Sequence, residues 1–195
     1  MSVQVLPATA ERWADVIAVM GERGDPSHCW CQFFRLRGND WDRPSEAKRR
    51  ALRQQVKVEP PPGVLAYDDG TPAGWCAVAR RTSYPRVLAS KNWHHHPAEP
   101  APGLWTVTCF VVPVGHRRQG MASHLLEGAV ELARARGATA VEGNAIDLHA
   151  SGRTASADLY RSPLSVFLDA GFHEVRRTSP RGSSSDGRSR PSTRV

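Results

Sequence analysis

Apolar residues along the 195-residue chain switch between two periods, and the switches mark its elements. In "VQVLPATAERWADVIAVMGERG" a short alternating run predicts a strand. Trp13, Val16, Ile17 and Met20 then follow at spacings of three and four, which predicts a helix with Thr9 as its cap. The stretch "DPSHCWCQFFRLRGNDWDRP" is aromatic-rich and has no period. "SEAKRRALRQQV" predicts a helix capped by Ser45 and stopped by "PPPG". "VLAYDDGTPAGWCAVARR" reads as a hairpin around "DDGTP". A connection rich in proline and histidine leads to a strand over Leu104–Val112. The helix after it places Met121, Leu125, Ala129 and Leu132 on one face and ends near Gly137. "ATAVEGNAI" predicts a strand, "SPLSVFLDAGF" a short helix from Ser162, and "HEVRRT" a last strand. The order β-α-α-β-β-β-α-β-α-β predicts an α/β (α+β) fold, a twisted mixed sheet with helices on both faces. No internal repeat is present, and the length suits one domain.

Composition narrows the class. No window approaches the roughly 18 apolar residues of a membrane span, and no signal peptide is evident at the N-terminus. Four cysteines, Cys29, Cys31, Cys76 and Cys109, do not form the dense framework of a secreted scaffold. A reduced, cytoplasmic protein is the expectation. The net charge is +7, but "RRTSPRGSSSDGRSRPSTRV" at the end holds six arginines and one aspartate, which leaves the remainder near neutral. We divide the chain into a domain over residues 1–178 and a Ser/Gly/Arg-rich tail over 179–195, expected to be disordered because it has too few apolar residues to bury. Nucleic acid and membrane are not expected partners.

The strongest local signal is "VTCFVVPVGHRRQGMASHLLEGAV". A strand stops where a helix starts, so unpaired main-chain N–H groups and the positive end of the helix dipole meet at one place. Gly120 lets the backbone approach a ligand, Ala122 keeps the next turn small, and Arg117 and Arg118 add charge. These features describe a phosphate cradle. The spacing matches neither the nucleotide-binding P-loop nor the three-glycine dinucleotide fingerprint.

Arg117-x-x-Gly120-x-Ala122 resembles the pyrophosphate signature [Q/R]-x-x-G-x-[G/A] of the GNAT superfamily of N-acetyltransferases. The context agrees over about residues 3–178: "CFVV" before it, "HLLEGAVELARARGA" after it, then "AVEG" and "FLDAGFHEV". The resemblance implies that acetyl-CoA is the acyl donor, lying between the strand ending at Val112 and the next parallel strand. Phe110, Val111 and Val112 would pair with the pantetheine arm. The main-chain amides of Arg117, Arg118, Gln119, Gly120, Met121 and Ala122 would hold the pyrophosphate. The implied activity is direct acetyl transfer in a ternary complex to an amine of a small molecule or peptide. Homodimerisation stays open.

The match departs from the family at the catalytic positions. Many members carry a tyrosine four residues before the Gly-Phe of the last helix, to protonate the thiolate; here that position is Phe167. Tyr160 is the remaining candidate for a proton donor. Thr106 and Thr108 lie where some relatives have Glu, so Glu142 on the next strand is the acidic candidate for a base, with Asp147 and His149 behind it. Cys29, Trp30, Cys31 and Phe33 fall where the family builds its acceptor pocket, and would form an aromatic wall. His28, Cys29, Cys31 and the run His94–His96 offer metal-ligand types, but Cys-x-Cys is tighter than usual zinc spacing, and no metal is expected. Trp75 and Cys76 read as core. A second functional reading is an acyl-CoA-binding or regulatory protein with this fold and little turnover.

Overall fold

The computed structural model describes residues 2–90, 103–147, 162–178 and 190–194. Among these residues the strands form one seven-stranded sheet. Strand β1 (Val3–Pro7) pairs antiparallel with β2 (Gly63–Asp68), β2 with β3 (Thr71–Arg80), and β3 with β4 (Leu104–Val111). Strand β4 then pairs in parallel with β5 (Ala140–Gly143). Beyond β5 lie β7 (Arg190–Arg194) and, outermost, β6 (His173–Thr178), both pairings antiparallel.

Period-two alternation explains how one sheet carries two cores. Val64, Ala66, Cys76 and Val78 point to one face, where they meet Met121, Leu125, Ala129 and Leu132 of helix α5 (Met121–Ala135). Phe167 of the short helix α6 (Leu164–Asp169) completes that layer. The residues between them, Leu65, Tyr67, Trp75 and Ala77, point to the other face. There they pack on Val16, Val19 and Met20 of α1 (Trp13–Met20) and on Leu52 of α3 (Ser45–Gln55). A strand buried on both faces reads as a nearly continuous apolar run, as "GVLAY" and "GWCAVA" do. Trp75 and Cys76 are both fully buried, on opposite sides.

Four details differ from the sequence expectations. Two five-residue helices, α2 (Asp25–Cys29) and α4 (Pro85–Ala89), stand where no period was visible. Both have proline in their first turn, where its missing N–H is harmless. Neither Thr9 nor Ser45 caps a helix through its side chain. The Ser45 hydroxyl instead accepts a hydrogen bond from Trp30 Nε1 at 3.0 Å and donates to the Ser27 carbonyl, tying α2 to α3. Strand β5 is shorter than the run 138–146, because it leaves β4 after Gly143; Ile146 forms an isolated parallel bridge with Pro163. Finally, the tail contributes a strand. Strand β7 lies between β5 and β6, so the boundary drawn from composition at residue 178 does not separate the last residues from the sheet. An inserted strand is held by main-chain hydrogen bonds on both sides, which need no apolar pattern. Among the described residues no helix is long and apolar enough to cross a membrane.

Candidate functional site

The departure of β5 from β4 creates the site. Their parallel register runs from Leu104↔Ala140 to Val107↔Gly143 and stops, while β4 continues to Val111. Among the described residues nothing pairs with β4 on that side beyond Val107. The main chain of 108–111 therefore offers hydrogen-bonding groups to a wedge-shaped gap, and unpaired groups of this kind demand a partner. On its other side β4 carries an irregularity. Ala77 pairs with Cys109 but Val78 pairs with Val107, so Thr108 is an extra, bulged residue. Bulges re-aim side chains and interrupt pairing.

At the mouth of this gap the chain turns into α5. The turn is braced by its own side chains: Arg117 Nε donates to the Val112 carbonyl at 2.8 Å, and Gln119 Nε2 to the Gly115 carbonyl at 3.1 Å. Two residues take left-handed backbone, Arg118 at φ 61° and Gly120 at φ 77°. Gly120 is the N-terminal cap of α5 and makes no side-chain cap. Its carbonyl accepts from Ser123 and His124. Among the described residues, the N–H groups of 118–122 donate to no protein acceptor, and 117–120 are exposed. A Cβ added at Gly120 would meet no protein atom. The left-handed backbone and the space reserved in front of it are what call for glycine there. Such a row of outward N–H groups at a helix start, beside two exposed guanidinium groups, fits a pyrophosphate.

The interior of the gap differs from that electropositive mouth. Phe167 is fully buried, edge-on to Phe110 at 6.1 Å and to Phe172 at 5.1 Å. Its ring lies over Gly143, where a Cβ would come within 2.4 Å of it. The ring thus serves as core packing and brings no proton donor to the gap. Glu142 is buried, and its Oε1 accepts from Arg81 Nη1 at 2.6 Å and from the Thr106 hydroxyl at 3.0 Å. Taking up a proton there would leave the buried Arg81 guanidinium without its counter-charge. Buried pairs are held tightly in this sense, since removing one partner strands the other's charge. Tyr160 and His149 lie outside the described residues, as do His94, His95 and His96.

The four residues of the expected acceptor wall do not share one environment. Trp30 and Cys31 are buried in the core under α1 and α3, both with left-handed backbone. Trp30 stacks near Trp13 at 6.1 Å. Cys29 is half-buried, and its thiol is pushed up to about 11 by burial and then by Cys31. Phe33 is exposed and packs edge-on against Phe34 and Trp41, with the Arg86 guanidinium over its ring. It borders a cavity of about 320 Å³ shared with Phe34, Arg37 and Arg86. All four cysteines are free thiols. Cys31 Sγ lies 3.3 Å from Cys109 Sγ of β4, a contact that raises the Cys31 thiol well above its ordinary range, as burial also does. Among the described residues no group of three or more metal-ligating side chains comes together.

Sequence reading missed two buried residues near the gap, Arg81 and Tyr84. Both follow β3 in "RRTSY", where no local pattern distinguishes a buried arginine from a solvated one. Only the fold reveals them, by setting Arg81 against Glu142 of β5.

Comparison with known proteins agrees with this geometry. No curated protein sequence matches the chain. Solved structures share its fold: yncA from Salmonella typhimurium, solved with acetyl-CoA as its cofactor, is 10% identical with TM-score 0.58 over 100% of this chain and 94% of its own. An N-acetyltransferase from Staphylococcus aureus is 13% identical with TM-score 0.56, covering 100% and 98%. A Corynebacterium glutamicum protein described as a histone acetyltransferase HPA2 and related acetyltransferase is 23% identical with TM-score 0.52, covering 100% and 96%. The family model for the acetyltransferase (GNAT) family matches residues 28–163. That span holds β4, its bulge, the cradle and β5, and the chain belongs to the acetyltransferase (GNAT) family.

Proposed function

We propose that this protein transfers an acetyl group from acetyl-CoA to an amine of a small molecule or peptide, by direct attack with both substrates bound. The observation that carries the reading is the continuity of main-chain donors. Among the described residues, unpaired β4 backbone leads, through a turn braced by Arg117 and Gln119, to the N–H groups of 118–122, which donate to no protein acceptor.

The donor thioester supplies an activated acyl group; the remaining requirements fall on the chain. The amides from Arg118 to Ala122 bind the pyrophosphate, the Arg117 N–H expected among them being already given to the Val114 carbonyl, and the main chain of Phe110, Val111 and Val112 aligns the pantetheine arm. Main-chain N–H groups in that stretch also stand where negative charge develops on the acyl oxygen. Fixed donors in a partly desolvated gap stabilise such charge without reorganising. Positioning of this kind supplies a large part of a transfer barrier on its own. No side-chain base is needed if the amine arrives neutral.

A second reading, an acyl-CoA-binding protein with little turnover, is favoured by the packing of Phe167 in the core and by the pairing of Glu142 with Arg81. Amine-dependent release of CoA separates the two. Steady release with at least one primary amine is the expected result. Tight acetyl-CoA binding with no amine-dependent release would establish the second reading.

A further inference from the structure

Among the described residues, two buried hydroxyls beside the gap have no hydrogen-bond partner. They are Tyr84 Oη, on a side chain with no exposed surface, and Thr108 Oγ1, on a residue 5% exposed. Buried polar groups are nearly always paired, so an orphan of this kind asks for an explanation. Tyr84 packs with Ala79 and Val87. Ala79 pairs with Thr106 and alternates with Val78, whose side chain faces α5. The ring of Tyr84 therefore covers the sheet face opposite α5. Thr108 is the bulged residue of β4, one step past the last residue that β5 pairs. Burial pushes the Tyr84 phenol up, while the Arg35 guanidinium and then the nearby Thr108 hydroxyl draw it down, and the two oxygens do not meet in hydrogen-bond geometry. The Arg35 guanidinium stacks on the outside of the ring at 4.8 Å.

We propose that Tyr84 and Thr108 receive the nitrogen of the acceptor amine at the β4 bulge, on the face opposite the donor cradle. This rests on the acetyltransferase reading. The charge balance nearby supports it: Glu142 is already paired with Arg81, so this face of β4 presents hydroxyls in place of a free carboxylate. A buried ammonium without a counter-charge is disfavoured, which selects the neutral amine. A neutral primary amine has two N–H donors and one lone pair. Hydroxyl oxygens can accept both N–H bonds, which leaves the lone pair aimed at the acyl carbon. The C–N bond then forms as the thioester C–S bond breaks. One N–H proton passes to solvent, and the sulfur leaves as thiolate and takes a proton from solvent.

The test compares wild type with Tyr84→Phe, Thr108→Val and Thr108→Ser. The measurements are melting temperature, acetyl-CoA titration by calorimetry, and CoA release with phenethylamine, spermidine, lysine and a tripeptide with a free N-terminus. Tyr84→Phe and Thr108→Val each remove an unpaired buried hydroxyl, so melting temperature should hold or rise. Acetyl-CoA affinity should stay within about twofold, while kcat/KM for the best amine falls at least tenfold, a loss of about 1.4 kcal/mol. Thr108→Ser keeps the hydroxyl and should retain activity, which a purely packing role for the threonine methyl would not allow. Unchanged amine kinetics in both hydroxyl-deleting variants would overturn the proposal, as would failure of Thr108→Ser to retain activity. A wild type that binds no acetyl-CoA would overturn the acetyltransferase reading itself. Wild type that binds acetyl-CoA but acetylates none of the four amines would overturn the acceptor assignment and favour the acyl-CoA-binding reading.

Discussion

The cradle at the start of α5 and the opposite face of β4 meet at one strand but are built by different means. The cradle is a single continuous segment, residues 112–122, and its working groups are main-chain N–H groups. The opposite face draws Trp30 and Cys31 from the loop after α2, Arg81 and Tyr84 from the end of β3, Thr106 and Thr108 from β4, and Glu142 from β5. A main-chain site depends on backbone conformation, so one left-handed glycine and one helix start define it. A side-chain site depends on every element that delivers a residue. The first kind suits a ligand group shared across a family, and the second lets acceptor specificity vary.

The contrast predicts that damage to the far face shows mainly in stability or acceptor kinetics, and little in donor binding. The largest effect is expected for Arg81→Ala. It leaves the Glu142 carboxylate buried without its guanidinium, and breaking such a pair costs about 3–5 kcal/mol. Urea titration should show that loss, and Arg81→Ala combined with Glu142→Gln should recover much of it. A loss below about 1 kcal/mol in the single variant would mean the pair is not held as described. Trp30→Ala should rank close behind, because truncating a buried tryptophan costs roughly 3–5 kcal/mol. By contrast, Phe33→Ala at the surface should leave melting temperature nearly unchanged and alter amine KM, if its cavity takes part of the acceptor. The reverse pattern, with Trp30→Ala folded and shifted only in amine preference, would move the acceptor wall inward.

A smaller effect concerns the anchoring of α1 on the far-face core. Tyr67 donates to Asp15 at 2.6 Å, and burial, then Asp15, raises its phenol from 10.0 to about 12. A group with a raised folded-state value contributes stability that is complete below its unfolded value and is lost as pH climbs through the folded one. Stability should therefore decline between pH 10 and about 12. Tyr67→Phe should flatten that part of the curve and, at neutral pH, cost on the order of 1 kcal/mol. An unaltered alkaline slope in Tyr67→Phe would place its cause elsewhere.

What could be read from the sequence follows the same division. The helices at 13–20 and 121–135 and strand β1 showed themselves through apolar period, the helix at 45–55 through its start and stop signals, and β2 to β4 through apolar runs bounded by turn residues. The cradle showed itself through Arg117, Gly120 and Ala122 because its chemistry is local. The short helices α2 and α4 did not, since five residues are too few to display a period. Strand β7 was invisible because its neighbours supply its hydrogen bonds and its residues need not be apolar. The burial of Arg81 and Tyr84 was equally hidden, since it depends on β3 delivering them against β4 and β5. Trp30 was legible as an aromatic beside two cysteines but not as a core residue, because that follows from α1 and α3 closing over it.

On the proposed reading a main-chain cradle, the N–H groups of residues 118–122, holds the donor. That reading is tested most directly by calorimetric titration of acetyl-CoA into wild type and Gly120→Asp, with circular dichroism to establish that both are folded. Aspartate tolerates the left-handed backbone better than most residues, and its Cβ meets no protein atom at this site. It places a carboxylate where the proposed function sets the pyrophosphate. The account predicts a folded variant whose affinity for acetyl-CoA is at least tenfold weaker, about 1.4 kcal/mol or more. Equal affinity in the two folded proteins would contradict it.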